Sequence, residues 1–171
     1  VGALTLVADL THGTAFDVTV PFVVTGTAAT PADHNLASGS ITILAGATTG
    51  LANFNVVNDS MDENDETIIV TMGVPTNAGP GLTTEQTTTV TDNDSPPVAD
   101  FTTSTQSVSE AVGTVTVAMT LTAASSFDVT VPYTISGTAA NPADHDLGNG
   151  TFTILAGAST ADVTFNVVEE A

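Results

Sequence analysis

Residues 16–36 read FDVTVPFVVTGTAATPADHNL, and residues 127–147 read FDVTVPYTISGTAANPADHDL. The offset, 127 minus 16, is 111, and the register holds without gaps from Val1 and Gly2 against Val112 and Gly113 to FNVV at Phe54 against FNVV at Phe165. ITILAGA at Ile41 and FTILAGA at Phe152 fall in the same frame. A repeat of this length and fidelity implies two copies of one domain. Inside each copy, apolar residues alternate with Thr, Ser, Asn and Asp. Leu4, Leu6, Ala8 and Leu10 answer to Val115, Val117, Met119 and Leu121, and Val18, Val20, Phe22 and Val24 answer to Val129, Val131, Tyr133 and Ile135. A period of two places such residues on one face of a strand. Further strands are expected to bury Ile41 and Ile43, then Phe54 and Val56, then Ile68, Val70 and Met72. No segment carries a helical period, so the chain reads as all-β, with each copy a sandwich of antiparallel sheets.

Copy one is expected over residues 1–94, a short linker carrying Pro96 and Pro97 over 95–97, and copy two over 98–171. Copy two opens with an earlier strand, 98–108, for which copy one has no counterpart, and it stops before the counterpart of 61–94. The mismatch reads either as an excerpt of a longer tandem array, the favoured expectation, or as strands supplied by neighbouring molecules through β-augmentation.

Composition narrows the function further. The 171 residues include 19 Asp and Glu and no Lys or Arg, for a formal charge of -19. Such a chain repels nucleic acid and anionic membrane surfaces and attracts cations. No apolar run is long enough to span a membrane, so no membrane insertion is expected. Without cysteine there is no disulfide framework and no thiolate site. No serine sits in a nucleophile elbow near a histidine, and an enzyme is not expected.

Five carboxylates, Asp59, Asp62, Glu63, Asp65 and Glu66, crowd the segment VVNDSMDENDET, residues 56–67. With no basic side chain to neutralise them, they depend on hydrogen bonds, screening or a bound cation. The loop reads either as a solvated turn or as a divalent-cation site. DND at 92–94 reads equally as turn chemistry or as ligands. His34 and His145 recur beside Asp33 and Asp144 and read as satisfied structural groups before metal ligands.

VTVPFVVTGTAATPADHNL, then ITILAGATTGLANFNVVNDSMDENDETIIVTM, then the closing TTTVTDND together resemble the Calx-beta domain, and the resemblance covers nearly all of both copies. It implies immunoglobulin-like β-sandwiches that bind calcium (Ca2+) at one end. Residue by residue, the implied metal ligands are Asp33 and Asp144, then Asp59, Asp62, Glu63 and Glu66 in the acidic loop, Asp92 and Asp94 at the closing strand, and Glu110 in SVSEAVG. The chain departs from the family at Asp33-His34 and Asp144-His145, where an aromatic residue usually follows the aspartate. Glu169 and Glu170 align with Asn58 and Asp59. Neither copy shows a complete ligand set.

The leading expectation is an extracellular or cell-surface structural array, a fibre, filament or adhesin stalk stiffened by calcium and continued by self-association or head-to-tail repetition. Close likeness of the two copies motivates it. The alternatives are a calcium-sensing regulatory module of a larger protein, and a ligand-binding adhesion domain, for which no exposed aromatic patch is apparent because the aromatic residues fall mostly on expected core faces.

Overall fold

The computed structural model describes residues 2–169; Val1, Glu170 and Ala171 lie outside them. The described residues form eleven strands and one 3-10 turn. By contact they divide into two units. The first holds the residues up to Asp59 together with Asn64–Asp92, and the second holds Ser60–Glu63 together with the residues from Asn93 onward.

Unit 1 contains β1 (Gly2–Asp9), β2 (Val18–Gly26), β3 (Gly39–Ile43), β4 (Thr49–Val56), β5 (Glu66–Met72) and β6 (Glu85–Val90). They make two antiparallel sheets, β1-β4 and β3-β2-β5-β6. The period-two reading is realised where both sheets turn their apolar faces inward. Leu6, Phe22, Leu36, Ile41, Phe54, Ile68 and Val70 are buried in one cluster, and Val18, Val20 and Ile43 form a second, with Ala8 packed against both. Burial of this apolar surface is the main driving force for folding, at about 25 cal/mol per Å² removed from water.

Unit 2 repeats the plan with β7 (Ala99–Phe101), a 3-10 turn at Glu110–Val112, β8 (Thr114–Leu121), β9 (Val129–Tyr133), β10 (Gly150–Ile154) and β11 (Thr160–Asn166). Its sheets are β11-β8-β7 and β10-β9. The core is Met119, Leu121, Phe152 and Ile154, with Tyr133 tilted against Phe152 at 5.2 Å between ring centroids.

Four details differ from the sequence expectation, one being Leu4, which lies on the apolar pattern of β1 and is 37% exposed. The strand expected over 98–108 pairs only at Ala99–Phe101, because TSTQS beyond it has no apolar residue to hold an inward face. Ile135, the counterpart of Val24, is 37% exposed. In unit 1 the Val24 position is flanked by β5 through the pair Val24↔Val70, and β9 has no such neighbour among the described residues. Finally, Phe16, Phe101 and Phe127 are exposed rather than in a core.

The G-T-A turns show what the repeat conserves physically. Gly26 and Gly137 both sit at positive φ, +125° and +143°. At Gly26 a Cβ would also run into the Thr67 carbonyl of β5, whereas at Gly137 nothing lies within 4 Å. Gly26→Ala therefore meets both backbone strain and a backbone clash, and Gly137→Ala meets strain alone. Gly26→Ala is expected to destabilise unit 1 by at least about 2 kcal/mol and Gly137→Ala to cost unit 2 about 1 kcal/mol, read from urea unfolding followed at amides of each unit. Equal losses would show that β5 does not hold the turn.

Candidate functional site

The residues flagged in sequence fall into groups set by strand direction. In unit 1, β1 and β4 pair from Gly2↔Val56 to Asp9↔Thr49. The end marked by Val56 collects the loop after β2, the acidic loop after β4 and the segment after β6. His34 bridges Val56, and the Asp33 carbonyl accepts from Val57 N at 2.8 Å. Ala28 N donates to the Thr67 carbonyl at 3.1 Å, and Glu66 pairs with Val90 at the close of β6. Asp65 Oδ1 accepts from Asp92 N at 3.0 Å, which ties the acidic loop to the closing segment. Asp33, Asp59, Asp65, Glu66 and Asp92 thus lie at one end of unit 1. Asp65 is a member that the family pattern passes over, although its place in DENDE was the available signal.

Unit 2 distributes its flagged residues differently. At the Thr114–Asn166 end, Gly113 O accepts from Val167 N at 2.8 Å and Asp144 O accepts from Val168 N at 2.9 Å, so the Glu110 turn and the Asp144 loop share that end. Asp62 sits at the opposite end of the same strands. Its carbonyl accepts from Ser126 N at 2.9 Å and its Oδ2 accepts from Ser125 Oγ at 3.1 Å, with Ser125 only 2% exposed. Asp94 leads into β7, whose Ala99 pairs with Leu121, and so approaches the Asp62 end. Glu63 follows Asp62 and is half-buried.

Two flagged aspartates have a clear local role. Asp33 Oδ2 accepts from Ala29 N, and Asp144 Oδ2 accepts from Ala140 N, at 2.5 Å in each. Both close a five-residue loop that contains a proline, Pro31 or Pro142. A carboxylate bonded to an amide in this way both satisfies the donor and keeps its charge stabilised.

The histidines are ordered by the same loops. His34 is 1% exposed. Its Nδ1 accepts from Leu36 N at 3.1 Å, which assigns the proton to Nε2, 3.3 Å from the Ala28 carbonyl. His145 Nδ1 likewise accepts from Leu147 N at 3.1 Å. Both rings serve as backbone acceptors at Nδ1, as the structural reading expects.

The donor chemistry of the unit 1 end, carboxylates and backbone carbonyls, is that of a hard cation such as calcium. Among the described residues, no three His, Asp or Glu side chains stand close enough to hold a metal ion as they lie. The ligand types fit, and the arrangement is ungathered.

Two tandem sandwiches with acid-rich loops at the strand ends define a protein of repeated immunoglobulin-like modules. The model of the Calx-beta domain matches residues 2–94 and again 92–171, and the chain belongs to that family. Among solved structures, the chain is similar to the crystal structure of CBD12 from CALX1.2, with 18% identity and a TM-score of 0.50 over 99% of this chain and 70% of that one. It is similar also to the calcium binding domain CBD12 of CALX1.1, with 19% identity, a TM-score of 0.50, and coverage of 99% and 71%. At these identities the likeness shows the fold. No curated protein matches the chain in sequence.

Asp146 provides a pH readout within unit 2. The Asn166 amide N donates to its Oδ1 at 2.7 Å and Asn166 Nδ2 donates to Oδ2 at 2.8 Å, and these bonds hold the carboxyl below its ordinary value of 3.8. Since the folded value is the lower one, this group contributes stability above about pH 4, lost as pH falls through the folded value. Its counterpart Asn35 accepts from Asn55 N at 2.7 Å and cannot titrate. Carbon-detected NMR of the Asp146 carboxyl is expected to give a midpoint below 3.8, and Asp146→Asn to reduce the acid sensitivity of unit 2. A midpoint at or above the ordinary value would contradict the bonding.

Proposed function

We propose that the chain is a calcium-binding regulatory module, a tandem Calx-beta pair that responds to calcium within a larger protein. The observation that carries this reading is the Asp65–Asp92 tie, which brings the acidic loop and the closing segment together at the end of unit 1 that also holds Asp59 and Glu66. These carboxylates come from separate loops of a chain without Lys or Arg. Mutual repulsion between them is relieved when a dication is shared, and calcium accepts six to eight oxygen ligands of flexible geometry. Because the side chains are ungathered as they lie, binding requires the loops to rearrange. A rearrangement coupled to cation concentration is what a sensor needs.

Membership in the Calx-beta family and the likeness to a pair described as calcium binding domains support this regulatory reading over the structural array. Binding rather than catalysis is the activity the family implies. The array reading, an extracellular calcium-stiffened stalk that self-associates, would use the same ligands. It draws support from the closeness of the repeats and differs in needing only the weak affinity, about 0.1–1 mM, that keeps an extracellular module occupied.

Calorimetry with calcium is expected to show saturable binding below about 1 mM, with amide shifts concentrated at residues 57–67 and 90–94. Glu66→Gln and Asp92→Asn should each weaken binding about tenfold or more, a change of about 1.4 kcal/mol. Absence of heat and of shifts would overturn the proposal, and a dissociation constant of about 0.1–1 mM with no rearrangement beyond the ligand loops would favour the stalk.

A further inference from the structure

At the carboxylate end of unit 1, side chains fasten β5 to the turn after β2 at the point where the ladder stops. The β2–β5 register runs from Phe22↔Met72 to Gly26↔Ile68, and its next step would set Thr27 opposite Thr67. Gly26, at φ +125°, turns the chain there and lies so close to the Thr67 carbonyl that no Cβ fits. Both main-chain polar groups of Thr67 are met by this turn. Thr67 N donates to Thr27 Oγ1 at 2.9 Å, and the Thr67 carbonyl accepts from Ala28 N at 3.1 Å. The exchange is reciprocal at longer range, with Thr27 N 3.5 Å and Thr27 Oγ1 3.4 Å from Thr67 Oγ1. The turn is itself seated, because Ala28 is buried in the core and its carbonyl lies 3.3 Å from His34 Nε2.

Glu66 immediately precedes Thr67, and the backbone around it is tied on two sides. Towards β6 it pairs as Glu66↔Val90, and Asp65 Oδ1 accepts from Asp92 N at 3.0 Å. Towards β2 the Thr27 hydroxyl and the Ala28 amide hold Thr67. Residues 65–67 are thus the anchored part of the acidic segment. Thr27 is exposed and uncharged, and at an exposed position beyond a strand end a valine has the same branched shape and the same preference for extended chain. What the threonine adds is the hydroxyl that takes the Thr67 amide.

We infer that Thr27 is a positioning residue for the cation site at this end: its hydroxyl fixes the backbone that carries Glu66 before a cation arrives. A ligand whose backbone is already ordered loses less conformational freedom on binding, so the clasp raises affinity without contributing a carboxylate. The inference rests on the calcium reading given above and adds to it a residue outside the acidic loop.

The test compares the intact chain with Thr27→Val and Thr27→Ser. Calcium is titrated into each, and affinity at the unit 1 end is read from amide shifts at residues 64–67 and 90–94. Thr27→Val is expected to weaken binding about fivefold, the size of one hydrogen bond, and Thr27→Ser, which keeps the hydroxyl, to restore it. Exchange of the Thr67 amide proton, measured in chelator, should be about tenfold faster in Thr27→Val than in the other two. Unchanged affinity in Thr27→Val alongside faster Thr67 exchange would overturn the inference, since the bond would then hold the turn and position nothing. Binding by Thr27→Ser as weak as by Thr27→Val would overturn it too. So would exchange of Thr67 in the unsubstituted chain as fast as at exposed loop amides, a measurement that needs no variant to fold. An unsubstituted chain that shows no calcium-dependent shifts while its Thr67 amide stays protected would overturn the calcium reading, and this inference with it.

Discussion

Negative charge without any positive side chain is the constraint under which this fold is built, and backbone amides meet it. Asp17 Oδ1 accepts from Ala45 N and Asp128 Oδ1 accepts from Ala156 N, both at 2.8 Å. Asp33 and Asp144 accept from Ala29 and Ala140. Each pair is related by the repeat offset, so the same carboxylate–amide bond is made twice at two places in the sandwich. A bond from an amide to a charged acceptor contributes about 1.5–3 kcal/mol, and here it also fixes the loop that carries it. Asp17 and Asp128 join the start of β2 or β9 to the turn after β3 or β10. Asp33 and Asp144 close the loops that set His34 and His145 in place.

This division of labour separates two kinds of acid. Some aspartates are acceptors inside the fold, spent on turns and hairpins in both repeats. Others, in the segment from Asp59 to Glu66 and at Asp92 and Asp94, belong to loops present once in the described chain and concentrated at strand ends. The first kind explains how a chain of formal charge -19 folds without internal salt bridges to Lys or Arg. The second kind gives it something to do with a cation. The repeat register connects them, because one alternating pattern sets both the core and the loops that emerge from it.

Most of the architecture was legible in sequence because the physics that makes it is local. Alternation at Val18, Val20 and Phe22, or at Val115 and Met119, dictates strands whatever surrounds them. Side-chain direction in turns is not local, and that is where reading stopped. Asp33 and Asp144 suit a ligand pattern, yet each has an oxygen turned onto an amide four residues back. Asp62 and Glu110 look alike as loop acids, but within unit 2 the path of β8 carries them to opposite ends. Ile135 alternates as a core residue should and is exposed, since burial on that face needs a neighbouring strand that alternation alone cannot supply. Asp65, which ties two loops, was visible in the acidic run and had no family position to mark it.

Amide hydrogen exchange at Ala29, Ala45, Ala140 and Ala156, measured in chelator and again in calcium, tests the amide–carboxylate scheme most directly. If backbone amides are what neutralise these aspartates, all four protons exchange at least about tenfold more slowly than exposed loop amides and do so equally in both conditions. Fast exchange in chelator that becomes slow only with calcium would show that the metal, and not the backbone, holds those carboxylates.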